Sequence, residues 1–457
     1  MSHYKPYPAY KDSGVEWIGP VPEHWQVRRI KFSIASCRNG VWGDDPTGND
    51  DTPCVRVADF NRDALRVNPE IPTMRAISTK DRDSRRLQQG NLLLEKSGGG
   101  EKQPVGQVVL YDRDDDAVCS NFIAKIELSS HEVASFWCYQ FAAAYTCRLN
   151  LRSVKQTSGI QNLDQEQYFD EMASRPPTAE QASIAAAIDR ETARIDALIA
   201  KKTRFIELLQ EKRQALITHA VTKGLDPNVK MKDSGVEWIG EVPEHWLVVQ
   251  LGKLAKDRCD GPFGSGLKSE HYVDDGVRVV RLQNIGWGAF KDDNAAFISR
   301  EHWHTVLGRG HSVVSGDLLV AGLGDEGNPL GRACVAPDDL GDALVKADCY
   351  RFRLNQQKAL SPFVALSLSA TARAECGFMA TGATRDRLNL GLASSRIVAL
   401  PPSIEEQRAI VENVQTRAAR IDLLAEKNQR SIDLLKERRS AFITAAVTGQ
   451  IDLREAT

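Results

Sequence analysis

Two glycine clusters, a pair of histidines and nine cysteines are the residues best suited to chemistry in this 457-residue chain. Gly98-Gly99-Gly100 and G-P-F-G-S-G (Gly261–Gly266) could cradle a phosphate, but neither has dinucleotide-fingerprint spacing ahead of a helix. His302 and His304, in H-W-H, could give a metal two ligands. No third ligand stands at a matching spacing, so a packed or surface pair is the plainer reading. The cysteines run from Cys37 to Cys376 with no C-x-x-C pair. An odd count at spacings that match no zinc site reads as reduced, mostly buried thiols of a cytosolic protein. There is no G-x-x-x-x-G-K-[ST] loop, no G-x-S-x-G elbow, no H-E-x-x-H, and no D-P-P-Y-like tetrapeptide of the kind an amino-methyltransferase carries. The expectation is a chain with no catalytic residue, metal or cofactor of its own. An enzyme with an unfamiliar site stays open as a further reading.

Charge gives no pointer. Lys and Arg number 59 against 61 Asp and Glu, a net of -2, and hydrophobic residues make up 42%, as in an ordinary globular protein. A strongly basic chain would have suggested nucleic acid and a strongly acidic one a disordered tail. The apolar stretches, such as Ala182–Ile188 and Phe363–Leu368, fall short of the roughly 18–20 residues of a membrane span. Met1–Tyr10 is polar, without the apolar core of a signal peptide. A cytoplasmic protein with no membrane partner is expected.

What positions any functional residue is a duplication. Lys11–Trp25 reads K-D-S-G-V-E-W-I-G-P-V-P-E-H-W, and Lys232–Trp246 repeats it with Glu241 in place of Pro20. The copy continues with Val55-Arg56-Val57 against Val280-Arg281-Leu282. Gly90-Asn91-Leu92-Leu93 then matches Gly316-Asp317-Leu318-Leu319, and Pro104-Val105-Gly106 matches Pro329-Leu330-Gly331. Each half reaches a Pro-Pro (Pro176-Pro177, Pro401-Pro402) and then a long polar-apolar segment ending in Ala215–Thr222 or Ala441–Thr448. The opening motif and the long segment are close copies, whereas the stretch between them keeps its frame and changes its residues. One scaffold carries two different inserts. The four motif tryptophans, Trp17, Trp25, Trp238 and Trp246, occur in both halves and read as buried anchors.

The segments after Pro-Pro start as helices, with Thr178 and Glu180-Gln181, or Ser403 and Glu405-Glu406-Gln407. Apolar residues recur every three or four positions: Ile188, Ile195, Ile199, Ile206, Leu209 and Leu216, then Val414, Ile421, Ala425, Ile432, Leu435 and Phe442. This is a coiled-coil seam. Ala179–Val221 and Ile404–Val447 hold no Gly or Pro, so each rod is about 60 Å long. A stripe that narrow must pack, and the obvious partner is its own copy, antiparallel. Lys202 and Asn428, and Arg213 and Arg439, fall at equivalent seam positions; they either fix register or lie at exposed edges. The charged outer faces, such as Glu211-Lys212-Arg213 and Lys436–Arg439, are solvated or covered by another protein. Between opening motif and rod, β-branched runs (Gln107–Tyr111, Val277–Leu282) and helical stretches (Ala134–Tyr145, Phe363–Ala374) suggest an α+β globule.

These features together resemble the specificity subunits of type I restriction–modification systems. The resemblance spans nearly the whole chain. It rests on E-W-I-G-x-V-P-E-H-W opening each half, on G-P-F-G-S-G-L-K-S-E-H-Y (Gly261–Tyr272) followed by V-R-L-Q-N-I-G (Val280–Gly286), on P-P-x-x-E-Q, and on A-V-T-x-x-x-D at Ala220–Asp226 and Ala446–Asp452. Each motif is weak alone; duplicated and in order they are specific. The resemblance implies two target-recognition domains, 11–175 and 232–400, after an N-terminal tail, 1–10. Two antiparallel spacer helices, 176–226 and 401–452, separate them. It implies double-stranded DNA as ligand, two methyltransferase subunits and motor–nuclease subunits as partners, and S-adenosylmethionine held by the methyltransferase subunits rather than by this chain.

On that reading, base edges are met by bidentate side chains: Arg or Lys on guanine, Asn or Gln on adenine. The candidates are Lys96 and Ser97 before the triple glycine, where the backbone can approach closely, and Thr157 and Ser158 with Gln161 and Asn162. In the second half they are Ser265, Lys268 and Ser269, then Gln283 and Asn284, then Thr381, Thr384, Arg385 and Arg387. Each is otherwise a turn or a solvated loop. Phosphate contacts should outnumber base contacts. One DNA turn is about 34–36 Å, so the rods would set the gap between two half-sites. The competing reading is a coiled-coil scaffold carrying two protein-binding modules, which the near-neutral charge suits.

Overall fold

The computed structural model describes residues 4–156, 159–262, 266–325, 327–379 and 387–454. They form two compact units: Met1–Thr203 with Gln429–Thr457, and Arg204–Asn428. The units cut across the order of the sequence. Each joins one globule to half of each long helix, so neither is simply a globule with its own rod.

The central helix spans Thr178–Lys223 and the terminal helix Ile404–Val447. In unit 1, Ile184 and Ile188 at the start of the central helix share a core with Phe442, Ile443 and Val447 at the end of the terminal helix. The start of one helix thus meets the end of the other, so the two segments run antiparallel, and Arg438–Glu191 and Arg439–Asp196 are ion pairs across them. In unit 2 the partners reverse. Ile217 and Val221 pack with Ile410, Val411 and Val414, and Arg213 bonds Asp422. Of the seam residues, Ile188, Ile195, Leu209, Val414, Ile421, Ile432 and Phe442 are buried. Ile199, Ile206, Leu216, Ala425 and Leu435 are half-buried. Arg213 and Arg439 are ion-pair partners across the seam.

The globule of unit 1 is a six-stranded sheet in the order Ile34–Asn39, Ile123–Leu128, Leu92–Glu95, Val108–Leu110, Arg66–Val67, Phe60–Asn61. Alternation assigns its faces. Leu92 and Leu94 point at helix Ala134–Thr146, with Phe136 and Trp137 in the same core. Leu93 between them packs with Val55, Phe60 and Tyr111 on the other side. Unit 2 repeats the plan with Ala255–Cys259, Cys349–Leu354, Leu318–Ala321 and Ala333–Val335. Leu318 and Val320 meet helix Ser361–Met379 through Phe363 and Leu368, and Leu319 turns to Cys334 and Cys349. A five-stranded sheet runs Tyr272–Val273, Phe297–Ile298, Val277–Val280, Ala343–Val345, Ser312–Val313.

The duplicated motif is an anchor. In unit 1, Glu180 accepts hydrogen bonds from Trp25 Nε1 (3.1 Å) and Tyr7 Oη (2.7 Å) and pairs with His24 Nε2 (2.8 Å). In unit 2, Glu406 accepts from Trp246 Nε1 (2.9 Å) and pairs with His245 Nε2 (3.0 Å). The Glu immediately before the Gln of each helix start, Glu180 in P-P-T-A-E-Q and Glu406 in P-P-S-I-E-E-Q, thus receives the H-W of E-H-W. The Q also has a fixed task. Gln181 Oε1 accepts from Val133 N–H and Gln407 Oε1 from Leu360 N–H, and each amide donates back to the carbonyl of Pro176 or Pro401. Trp25 and Trp246 are fully buried, as anchors should be. The tail is also anchored: Tyr7 is buried, and Lys5 O accepts from Asp452 N–H at 2.9 Å.

Six of the nine cysteines are buried and all are free thiols; burial pushes Cys119 and Cys138 up to about 12. His302 donates from Nε2 to Gly266 O (2.9 Å) and stacks on His271 at 3.9 Å. Among the described residues no group of three His, Cys, Asp or Glu could hold a metal ion, and no helix is long and apolar enough to cross a membrane.

Candidate nucleic-acid interface

In unit 1, four of the candidate residues meet at one sheet corner. The strand Leu92–Glu95 runs into Lys96-Ser97, and Ser97-Gly98 pair antiparallel with Asn162-Gln161. Val154–Gln156 completes this small sheet against Gln161–Leu163. Lys96 N–H donates to Phe122 O (2.8 Å), and Leu163 N–H donates to Lys96 O (2.8 Å). Lys96 Nζ reaches Asn39 Oδ1 at 2.7 Å, and Ser97 Oγ donates to Asn162 Oδ1 at 2.6 Å. Asn162 and the Phe122 ring are exposed. Gln161 points inward; it is buried, and its Oε1 accepts from Val105 N–H. Gly99 has φ +57°, and a Cβ there would come within 2.7 Å of Val105 N, so this turn requires glycine. Below it, Glu95 is buried against Arg62 at 2.9 Å. Burial raises the Glu95 carboxyl while the guanidinium opposes the rise. Thr157 and Ser158 lie outside the described residues.

Unit 2 builds the same corner from different side chains. Gly322 N–H donates to Asp348 O (2.7 Å), and Leu388 N–H donates to Gly322 O (2.9 Å). Leu323 forms a bridge with Arg387. These bonds match those of unit 1 one for one. Gly322 therefore takes the place of Lys96, Leu323 of Ser97, Asp348 of Phe122 and Arg387 of Asn162. Arg387 is exposed, and both its Nε and one Nη lie 2.8 Å from Asp348 Oδ1. Thr381, Thr384 and Arg385 lie outside the described residues, as does Ser265.

The remaining candidates lie at two 3-10 turns beside strands of the five-stranded sheet, Ser269–His271 and Leu282–Asn284. Lys268 and Ser269 are exposed just before Tyr272–Val273, with Lys268 N–H donating to His271 Nδ1 at 3.0 Å. Gln283 is exposed, whereas Asn284 is buried with its amide engaged: Oδ1 accepts from Arg281 N–H (2.9 Å) and Nδ2 donates to Lys291 O (2.9 Å). Its counterpart Asp59 accepts from Arg56 N–H in the same way at 2.7 Å. Both side chains cap a turn. Aligning V-R-V-A-D with V-R-L-Q-N could have shown this, since a short acceptor follows the Arg by three residues in each. Phe122 and Asp348 were not singled out from sequence. The internal alignment carried past Leu93 and Leu319 would have placed Lys96 opposite Gly322, but no motif marks the strand behind them.

Among the described residues the corner holds no nucleophile–base pair or paired carboxylates. It offers exposed hydrogen-bonding groups on a rigid edge, held from behind by a second side chain. That arrangement suits recognition.

No family model matches the chain. It is 22% identical over 443 residues to the putative type I restriction enzyme MjaX specificity subunit of Methanocaldococcus jannaschii, covering 96% of each chain. It is 22% identical over 316 residues to the MjaVIII specificity subunit of the same organism, with 66% of this chain and 68% of that one covered. Against the Escherichia coli EcoBI specificity subunit the figures are 22% over 340 residues, 73% and 69%. In fold, it is similar to a chain from a structure of a type I R-M system assembly (TM-score 0.68, 15% identity, 93% of this chain and 98% of that one). It is also similar to the HsdS subunit from Thermoanaerobacter tengcongensis (TM-score 0.51, 15% identity, 94% and 98%).

Proposed function

We propose that this chain, which is similar along 96% of its length to a putative type I restriction enzyme specificity subunit, is the DNA sequence-recognition subunit of a type I restriction–modification complex. Each unit reads one half of a bipartite target in double-stranded DNA. The paired helices set the distance between the half-sites and dock two methyltransferase subunits. Those subunits bring S-adenosylmethionine and transfer the methyl group; motor–nuclease subunits join for cleavage. The assembly works in the cytoplasm, and this chain contributes no catalytic group to it.

The observation that carries the reading is the corner built twice. Identical backbone bonds hold Lys96, Ser97 and Asn162 in one unit and Gly322, Leu323 and Arg387 in the other. A scaffold preserved beneath a changed surface suits two readers of different sequences. The helices also leave leucines in solvent at matching places: Leu198 and Leu434 in unit 1, Leu424 and Leu208 in unit 2. Exposed apolar side chains repeated on both copies suit a partner that docks twice.

The net charge of -2 fits a chain that shares the enclosing of DNA with its partners. The test is duplex binding across a salt series, by the chain alone and with its methyltransferase partner. The reading expects weak binding alone, and tight binding of the complex that falls steeply with salt. Absence of duplex binding by the complex would favour a scaffold for two protein partners instead.

A further inference from the structure

We propose that Asn162 and Arg387 occupy one base-reading position, written once in each unit, and that they require different bases there: adenine in the half-site of unit 1 and guanine in that of unit 2. The proposal rests on the DNA-recognition reading above and adds which residue faces which base.

Placement is the first argument. Each residue lies one position before a leucine, Leu163 or Leu388, whose N–H is bonded to the residue that follows the central strand, Lys96 or Gly322. Each sits opposite the next residue of that strand, Ser97 or Leu323. Both side chains are exposed, while the leucines beside them are buried.

The second argument is that each polar head is steadied from behind, by different means. Ser97 Oγ bonds the Asn162 carboxamide at 2.6 Å, which fixes the plane of the amide. Asp348 bonds one edge of the Arg387 guanidinium at 2.8 Å. Base reading depends on planar groups held in one orientation. A carboxamide matches N6 and N7 of adenine, and a guanidinium matches O6 and N7 of guanine. A contact with phosphate fixes register and orientation but carries no sequence information, so it gives no reason for the two units to hold different planar heads at one position. The changes are also concerted. Where the reader is arginine, the neighbour is the carboxylate of Asp348; where it is asparagine, the neighbour is Ser97, and Phe122 stands at the backbone position that Asp348 takes in unit 2.

The experiment maps methylation in cells that express the full chain with its methyltransferase partner. The variants are Arg387→Ala, Arg387→Lys, Asn162→Ala, and the transplant Asn162→Arg with Phe122→Asp. Co-purification with the partner and a thermal melt establish that each variant is folded and assembled. The proposal expects Arg387→Ala to relax one guanine in one half-site by about tenfold to a hundredfold, with the other half-site unchanged. Arg387→Lys should relax the guanine less than Arg387→Ala does, and Asn162→Ala should relax one adenine in the opposite half-site. The transplant should turn that adenine requirement into guanine. An unchanged motif, relaxation at other bases, or a uniform loss at all sites by folded variants would overturn the proposal and leave the recognition function standing. If a variant does not assemble, the remaining variants decide, and a transplant that assembles without changing the base overturns the proposal alone. Absence of any bipartite motif with the unaltered chain would remove the recognition reading itself.

Discussion

Asp196 stands 3.1 Å from Arg439 across the paired helices of unit 1, and Asp422 and Arg213 form the same pair at 2.9 Å in unit 2. The arginines come from one seam position and the aspartates from another, so duplication and antiparallel pairing together generate both contacts. Arg439 is mostly buried and Asp196 partly exposed. Solvent screening then limits the pair to a coupling of about 0.5–1 kcal/mol. A double-mutant cycle with Asp196→Ala and Arg439→Ala, read by thermal denaturation, should return that coupling. Strict additivity would contradict the pairing.

Glu180 ties the tail, the opening motif and the helix start together through Tyr7, His24 and Trp25. Glu180→Ala leaves the hydroxyl of Tyr7 and the indole N–H of Trp25 buried without an acceptor. A loss of about 1–3 kcal/mol per orphaned donor is expected. Urea unfolding should show a lower midpoint, with Glu406→Ala acting likewise in unit 2. A midpoint unchanged in both variants would contradict the anchor.

Acid should weaken unit 1 through Glu132. Burial by itself would raise this carboxyl, but hydrogen bonds from Arg175, Trp137 and Gln181 bring it below the usual carboxylate range. A group whose pKa is lowered by folding stabilises fully above its unfolded value, about 4.3, and loses that contribution as pH falls through the folded one. Stability measured from pH 6 to pH 3 should therefore fall at the acid end, and Glu132→Gln should flatten that fall. An equally steep fall in Glu132→Gln would exclude this carboxylate as a source.

The exposed leucines carry an assembly prediction. Leu198→Glu with Leu434→Glu in unit 1, or Leu208→Glu with Leu424→Glu in unit 2, should leave the melting temperature within about 2 °C, because these side chains face solvent. Each pair should remove one methyltransferase subunit from the purified complex, as counted by native mass. Full stoichiometry in all variants would place docking elsewhere.

The elements that were legible in sequence are those whose signal is local. The helix Thr178–Lys223 announces itself by an apolar period without interruption, and its ends are marked by P-P-x-x-E-Q and A-V-T. The opening motif was visible as a repeat, but its purpose was not, because the acceptor Glu180 lies some 155 residues from Trp25. Tyr7 read as part of a polar tail for the same reason: burial against Glu180 is a tertiary fact. The compact units were hidden too, since each takes one half of the central helix and one half of the terminal helix, far apart in the sequence. At the interface, residue type alone did not separate Gln283 in solvent from Asn284 beneath it, nor Asn162 from Gln161. Strand alternation and a turn cap decided those cases.

On the proposed reading, the two units recognise two half-sites in DNA at a spacing set by the paired helices. Methylation mapping in cells carrying this chain and its methyltransferase partner tests it most directly, with the unaltered chain beside one lengthened by about one turn, four residues, in the central helix. The expected result is a bipartite motif with an unspecified spacer, and in the lengthened chain the same two half-sites at a changed spacer. A single continuous motif, or a spacer and half-sites unmoved by the insertion, would contradict it.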